Sequence, residues 1–318
     1  MMRFSLFLSL HLFALVAAVG LAGCARVASG PTVGFSQIGG ESNWRTAETR
    51  SMREEAERRG IDLRMVDAQM RQENQIKALR GFIAQGVQAI VLAPKEKNGW
   101  EPVLREVKEA GIPLVLVDRG VAVSDEGLYA TLIASDFVEE GRIAARWLVE
   151  ATGGTCNVVE LQGSVGSDPA IERRNGFLEV LAQHQGMSVL RSQSAEFTRS
   201  RGKEVMEAFI KAEGKEIQAV YAHSDDMALG AIQALEEAGM RPGKDVLVVS
   251  IDGIRDAFEA MAAGKLNATV ECNPLLGPLA FDAVERILRG EPVVKRVVVK
   301  DRLFTADQAA AELPNRKY

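Results

Sequence analysis

Ten side chains with chemically useful groups fall just after predicted strands or near the start of the helices that follow them. They are carboxylates, guanidiniums, hydroxyls and one indole: Ser36, Trp44, Arg45, Asp118, Arg119, Asp168, Arg173, Ser224, Asp252 and Glu271. A carboxylate accepts from two neighbouring hydroxyls, a guanidinium donates with a rigid fork, and an indole face packs against C–H groups. The set therefore indicates a site for a small ligand that carries many hydroxyl groups.

The same residues do not form a catalytic set. The three histidines stand at positions 11, 184 and 223, and the chain contains neither a G-x-S-x-G elbow nor an HExxH motif. The glycine-rich loop 163–168 (GSVGSD) could hold an anion on its amides, but it lacks the GK[ST] ending of a phosphate-binding loop. Because His223 has no His or Cys nearby in sequence, we predict no metal, no cofactor and no catalytic residue.

Several candidates also have a purely structural explanation, which the sequence leaves open. The alternatives are, in chain order, an N-cap at Ser42 with Trp44 in the core, an ion pair of Asp118 with Arg119, an N-cap at Ser135-Asp136, and an N-cap at Ser224 or Asp225.

The elements around these residues alternate between strand and helix. Continuous apolar runs at 89–92, 113–117 and 246–250 predict strands that are buried on both faces, as in a parallel sheet covered by helices. The pattern restarts after a break near Ala134, which predicts an α/β fold of two doubly wound parallel-sheet lobes with five strands each. Ligands of such sheets lie outside the carboxyl ends of the strands, where the ten side chains fall.

The first 24 residues have the pattern of an export signal. Arg3 is followed by an apolar stretch at 4–22 and by Leu21-Ala22-Gly23-Cys24, which resembles a bacterial lipobox. We therefore predict a lipoprotein signal peptide at 1–24, lipidation of Cys24 and a tether at 25–31. Ordinary signal cleavage and a permanent transmembrane anchor are the alternatives.

Composition and the remaining cysteines narrow the class of protein. The chain is 47% hydrophobic and 25% charged, which is typical of a soluble globular protein, and its net charge of −5 argues against a nucleic-acid partner.

Cys156 opens a predicted strand, and Cys272 lies at the opposite end of such strands. A five-residue strand rises ~16 Å, whereas a disulfide allows only ~7 Å between Cα atoms, so both thiols should be unpaired.

Longer motifs resemble a known family. Residues 32–318 resemble the periplasmic pentose- and hexose-binding proteins of ABC importers, through Asp118-Arg119, Arg173 ahead of Gly176-Phe177, 221–231 (YAHSDDMALGA) and 250–253 (SIDG). Further runs are similar to the galactofuranose-binding branch: 33–37 (VGFSQ), 72–77 (QENQIK), 99–104 (GWEPVL), 157–163 (NVVELQG) and 197–206 (FTRSRGKEVM).

The resemblance implies a type I periplasmic binding protein, whose two lobes are joined by a three-strand hinge and close over one monosaccharide. The ligand would be galactofuranose or a related aldose. The expected lobes are 32–134 with 273–300, and 135–272 with 301–318. This chain has Ser224 where the family often has Asn, and Cys272 where ribose binders have Gln. Glu271 is expected to supply the contact that Cys272 cannot.

The resemblance also implies partners and a location. We expect a monomer in the periplasm or on the exterior of the cell envelope, held to the membrane by its lipid, which delivers sugar to permease subunits and binds no nucleic acid. A sugar receptor for chemotaxis or a sensor kinase is the main alternative. A transcription regulator is disfavoured because only 31 residues, most of them apolar, precede the first strand, and an enzyme because no nucleophile–base pair or cofactor loop is present.

Overall fold

A computed structural model describes Met1 and residues 30–318 of the chain. The predicted signal segment, the lipidation site at Cys24 and most of the tether lie outside the described residues. Among residues 30–318, no helix is both long and apolar enough to cross a bilayer.

The first sheet has six strands in the order β11-β5-β4-β3-β1-β2, and every neighbouring pair is parallel. Its strands are β1 (Thr32–Gln37), β2 (Asp62–Asp67), β3 (Ala89–Leu92), β4 (Leu114–Val117), β5 (Thr131–Ser135) and β11 (Arg296–Val299). Helices cover both faces: α1 (Asn43–Arg59) and α9 (Gly277–Leu288) on one, α2 (Gln72–Gln85) and α3 (Glu101–Glu109) on the other.

The second sheet also has six strands, in the order β12-β10-β9-β8-β6-β7, and only β12 is antiparallel to its neighbour. Its strands are β6 (Thr155–Gln162), β7 (Gly186–Ser194), β8 (Ala219–Ala222), β9 (Leu247–Asp252), β10 (Ala268–Glu271) and β12 (Leu303–Thr305). Its helices are α4 (Phe137–Thr152), α5 (Asp168–Leu181), α6 (Arg199–Glu213), α7 (Asp225–Glu237), α8 (Arg255–Ala262) and α10 (Ala309–Glu312). The predicted class of two parallel α/β lobes is confirmed.

The chain passes between the two sheets three times: after β5, after β10 and between β11 and β12. The first passage leads from Ser135, the last residue of β5, directly to Asp136, which caps α4. At the second passage, Cys272 Sγ lies 3.6 Å from Ser135 Oγ, so two of the three connections are in contact. We call these three connections the hinge.

The number of strands differs from the sequence prediction. Each sheet has six strands rather than five, because β5 and β12 were not predicted. Strand β12 has only three residues, too few to show a period, and β5 directly precedes the helix that the pattern favoured. Helix α9 begins at Gly277, since Pro274 restricts the residue before it and Pro278 suits a first helical turn.

The cysteine prediction is confirmed. Cys156 and Cys272 are both free and buried. Burial raises the pKa of the Cys156 thiol to about 11, so this thiol stays protonated at neutral pH.

Helices α4 and α5 pack at very close range because each carries a glycine at the contact. A Cβ on Gly141 of α4 would collide with the carbonyl oxygen of Arg173, and a Cβ on Gly176 of α5 would collide with that of Val138. Because the obstacles are backbone atoms, a side chain at either position must push the helices apart. This spacing matters for function because Arg173 lies on α5.

Gly176→Ala should lower the free energy of unfolding by about 1–3 kcal/mol, because an extra methyl is forced into a packed interface. The matched control is Gly81→Ala in α2, where the new Cβ meets only the end of Gln85 at 3.9 Å. The control should raise stability by roughly 0.5–1 kcal/mol through helix propensity alone. Urea denaturation measures both, and equal effects would contradict the close-packing account.

Candidate ligand-binding site

A partly open cavity lies between the lobes, at the carboxyl ends of both sheets, and the volume in it that water can occupy is about 30 Å³. It is lined by Glu41, Ser42, Trp44, Arg45, Asp118, Arg119, Pro169, Arg173, Phe197, Ser224, Asp252 and Cys272. Three guanidiniums and three carboxylates are present, so the lining is electrically balanced and suits an uncharged ligand.

Trp44 belongs to the first lobe but packs against the core of the second. Ser42 caps α1 by accepting from the backbone N–H of Arg45 at 3.1 Å, which brings Trp44 to the cavity in the first helical turn. The indole Nε1 donates to the carbonyl of Cys272 at 2.6 Å, and the ring joins the second lobe's apolar cluster. Ser42 therefore caps α1, and Trp44 both packs in the core and lines the cavity. The structural explanation of these two residues does not exclude a place for them at the cavity.

Arg45 binds three carboxylates from within the first lobe. Its Nε donates to Glu41 Oε1 at 3.3 Å, NH1 to Glu48 Oε2 at 2.6 Å and NH2 to Asp118 Oδ2 at 2.8 Å. Burial alone would lower the pKa of Arg45, but Asp118, Glu48 and Glu41 together raise it well above its ordinary value. Arg45 therefore orients the acceptors Asp118 and Glu41, and its guanidinium also lies 4.7 Å from the Trp44 ring centre.

Asp118 and Arg119 follow β4 in a strained turn. Asp118 has φ of 63°, in the left-handed region that few non-glycine residues adopt. Arg119 Nη1 donates to the carbonyl of Lys95 at 3.0 Å, whereas its Nε lies 3.3 Å from Asp118 Oδ2 but makes no hydrogen bond of good geometry among residues 30–318. Burial and the nearby Arg45 lower the pKa of Arg119. A buried N–H group without a partner is a ready donor for a ligand oxygen.

Arg173 is the corresponding guanidinium of the second lobe. Its Nε donates to Glu140 Oε2 at 2.7 Å and its NH1 to the carbonyl of His223 at 2.6 Å. The remaining NH2 lies 4.0 Å from Asp252 Oδ1, too far for a hydrogen bond, so a ligand oxygen can bridge the two. Burial raises the pKa of Asp252 well above its ordinary value, although Arg173 opposes the shift.

Asp225 holds the end of β9, where Asp252 lies, and the turn that follows it. Its carboxylate accepts from Ser250 Oγ at 2.5 Å, Thr269 Oγ1 at 2.8 Å and the backbone N–H of Gly253 at 2.7 Å. Burial raises the pKa of Asp225 to about 6 despite these bonds. The preceding residue, Ser224, is the N-cap predicted as one alternative, and it also lines the cavity.

Seven of the ten predicted site residues meet at the cavity, and three do not. Ser36 is buried within β1, between β2 and β3, with no hydrogen-bond partner for its Oγ in the described chain. Asp168 binds the backbone N–H of Gly120 and the ammonium of Lys97 outside the cavity. Glu271 does not replace Cys272 at the cavity, because its Oε1 accepts from Arg316 at 3.0 Å and Tyr318 at 3.2 Å.

The sequence prediction missed three lining residues, Glu41, Pro169 and Phe197, and considered Ser42 only as a cap and Cys272 only as a departure from the family. Phe197 follows β7 with φ of 60°, and its ring occupies the space that a Cβ on Gly163 would need. Phe197 follows one strand, and Gly163 follows the neighbouring strand. This pairing of an aromatic residue with a glycine could have predicted that Phe197 lines the cavity. Glu41 could have been found as the acidic partner four residues before Arg45.

His223 is paired rather than poised for metal binding. Its Nε2 lies 3.1 Å from Glu160 Oε1, and both side chains are fully buried. Burial lowers the pKa of His223, with Glu160 opposing the shift. Across residues 30–318, no three His, Cys, Asp or Glu side chains are grouped so that they could hold a metal ion.

Comparison with known proteins connects this cavity to sugar binding. Residues 33–292 match the profile of the periplasmic binding protein domain family. The galactofuranose-binding protein YtfQ of Escherichia coli (strain K12) is 51% identical over 308 residues, which are 95% of this chain and 97% of that protein. The matched relative is named as a binding protein, not as an enzyme.

Two solved structures share the fold at similar identity. One is the periplasmic binding protein component of the arabinose ABC transporter from Shewanella sp. ANA-3, bound to α- and β-L-arabinofuranose, at 53% identity and a TM-score of 0.88 over 90% of this chain and 95% of that one. The other is a protein from Mycobacterium smegmatis in complex with β-D-fucofuranose, at 47% identity and a TM-score of 0.89 over 91% and 96%.

Arg45→Lys should lower the free energy of unfolding by about 3 kcal/mol, because an ammonium cannot reach Glu41, Glu48 and Asp118 together and leaves buried charge unpaired. Arg50→Lys, on the exposed side of the same helix, should stay within about 0.5 kcal/mol of the parent. Chemical denaturation compares the two variants. Equal stability would show that Arg45 does not organise these carboxylates.

Proposed function

The chain belongs to the family of periplasmic binding protein domains, and on that premise we propose that it is the solute-binding component of an ABC sugar importer, closing over one monosaccharide. The observation that carries the proposal is the cavity itself: buried side chains from both lobes converge on one space, which three guanidiniums and three carboxyl groups line. Arg119 and Asp118 face it from the first lobe, and Arg173 and Asp252 face it from the second. Paired donors and acceptors of this kind match hydroxyl groups, which do both.

We propose that the ligand is an aldose in its furanose form, galactofuranose or a close relative such as arabinofuranose. The names and bound sugars of the similar proteins support this choice. Trp44 from one lobe and Phe197 and Pro169 from the other supply apolar surface for the C–H faces of a small ring. Cys272 offers only a weakly polar thiol, so the ligand should present its hydroxyls to the charged walls instead.

In this proposal, ligand binding and lobe closure are thermodynamically coupled. A sugar that contacts both lobes favours the closed form by its differential affinity for the two forms. The hinge would bend at its three connections, with lobes of 32–134 plus 273–300 and 135–272 plus 301–318. The closed monomer would then be recognised by permease subunits in the periplasm. A chemotaxis or sensor-kinase receptor would use the same cavity, and no observation favours it over transport.

Calorimetric titration with a panel of aldofuranoses and aldopyranoses tests the proposal. We expect a furanose to bind with a dissociation constant on the order of micromolar, or about −8 kcal/mol, and pyranoses to bind more weakly. Arg119→Met should weaken binding about 100-fold, because it removes the buried Nε donor and leaves Asp118 with one cation fewer.

The control for this prediction is Arg53→Met, which removes an exposed guanidinium on α1 and should leave affinity unchanged. Circular dichroism and unfolding curves establish that both variants are folded. Full affinity in the Arg119→Met protein would argue that the sugar lies elsewhere, and an absence of binding across the panel would refute the proposed function.

We also propose that the mature protein is a lipoprotein anchored through Cys24. In a bacterial host, the parent protein should incorporate labelled palmitate and sediment with membranes, whereas Cys24→Ser should appear in the soluble fraction without label. Cys156→Ser, a change at a buried cysteine of the second lobe, should keep both the label and the membrane location. Membrane retention of the Cys24→Ser protein would instead indicate an uncleaved anchor.

A further inference from the structure

The lobes are joined outside the cavity by a cluster that includes Asp168, the residue expected at the ligand. Lys97 lies in the loop between β3 and α3 of the first lobe, and Asp168 and Glu172 lie on α5 of the second. The Lys97 ammonium contacts Asp168 Oδ1 and lies 2.9 Å from Glu172 Oε1. Of the salt bridges formed within residues 30–318, only these two run from one lobe to the other.

Backbone hydrogen bonds reinforce the same contact. The N–H of Gly120 donates to Asp168 Oδ2 at 3.0 Å, and the N–H of Lys97 donates to the carbonyl of Gly166 at 2.9 Å. Gly120 directly follows Arg119, and Pro169 directly follows Asp168; both neighbours line the cavity. The cluster thus ties together the two loops that carry ligand-facing residues, yet its own charged groups do not line the cavity.

We propose that Lys97, Asp168 and Glu172 form an interlobe latch that determines ligand affinity without contacting the ligand. The inference rests on the proposed function, because it concerns the closure that sugar binding drives. The latch exists only when the lobes are closed, so every contact in it stabilises the closed form alone. Apparent affinity is proportional to the population of the competent form, so the latch strengthens binding of any ligand that fits the cavity.

The burial and charges of the latch residues indicate that their ion pairs stabilise the closed form. The Asp168 carboxylate is almost wholly buried, and Lys97 is about one-third exposed. Burial alone would lower the pKa of Lys97, but Asp168 and Glu172 raise it, so the ammonium stays charged throughout the physiological range. The two carboxylates lie one helical turn apart on α5 and share one cation. Removal of Lys97 would leave Asp168 and Glu172 repelling each other in the closed form.

Titration of latch variants with a furanose that binds the parent protein tests the inference. Lys97→Met should raise the dissociation constant about tenfold, and Glu172→Gln about threefold. The rank order of sugars should not change, because no latch residue touches them. The double variant should be weaker by clearly less than the product of the two single effects, since both remove the same ion pair.

Matched controls lie on α5 itself and on α3, the helix that follows the Lys97 loop. Lys108→Met on α3 removes a cation paired with Asp125 within the first lobe, and Glu179→Gln on α5 removes an anion paired with Arg142 within the second. Both should keep parental affinity. Rising salt should weaken ligand binding in the parent more than in Lys97→Met, since the salt-sensitive pair is absent from that variant.

Three results would overturn the latch: equal affinities of Lys97→Met and Lys108→Met, an altered rank order of sugars, or an unchanged salt dependence in Lys97→Met. A second measurement separates this inference from the proposed function. Single-molecule energy transfer between one dye on each lobe reports the closed fraction of the sugar-free protein. If no sugar binds, the proposed function fails, but Lys97→Met must still close less often than Lys108→Met, and equal closed fractions reject the latch.

Discussion

Buried charge must be paired, and this constraint organises the whole cavity. An isolated ion in a protein interior costs several kcal/mol, so each guanidinium at the cavity is accompanied by carboxylates or carbonyls that hold it in place. Arg45 is surrounded by Glu41, Glu48 and Asp118, and Arg173 is held by Glu140 and the carbonyl of His223. Some polar groups make no hydrogen bond among residues 30–318, chiefly Arg119 Nε and the facing atoms of Arg173 and Asp252. We expect the ligand to bind these groups. The ligand specificity of the site thus depends on which polar groups have hydrogen-bonding capacity left for a ligand.

The two sheets meet this constraint in the same way. In each, a carboxylate at the end of a central strand faces an arginine at or near the start of a helix: Asp118 with Arg45 in the first lobe, and Asp252 with Arg173 in the second. Parallel strands bring their carboxyl ends to one edge, so residues far apart in the chain become neighbours. The hinge then turns the two edges towards each other. Only the closed arrangement gives a ligand both halves of the set.

Sequence patterns predicted the parts that depend on local order. Asp118 and Asp252 were found because each directly follows a buried strand, and Trp44 because an aromatic residue stands beside an arginine in a first helical turn. Ser36 stays a prediction: it lies within β1, and its side chain is not among those that line the cavity. Asp168 and Glu271 also stay predictions, although each carboxylate is paired with a distant cation and neither lines the cavity. Their partners, Lys97 and Arg316, are 71 and 45 residues away, and no spacing rule reveals which distant cation a carboxylate will meet.

The bond from the Trp44 indole to residue 272 has a consequence for how this protein can diversify. Its acceptor is a main-chain carbonyl, which every amino acid supplies equally. The side chain at 272 can therefore be exchanged without releasing the aromatic ring from the hinge. The side chain of residue 272 lines the cavity, whereas its main-chain carbonyl binds the Trp44 indole. Substitutions at this position can therefore change which sugar is bound while the Trp44 ring keeps its place at the hinge.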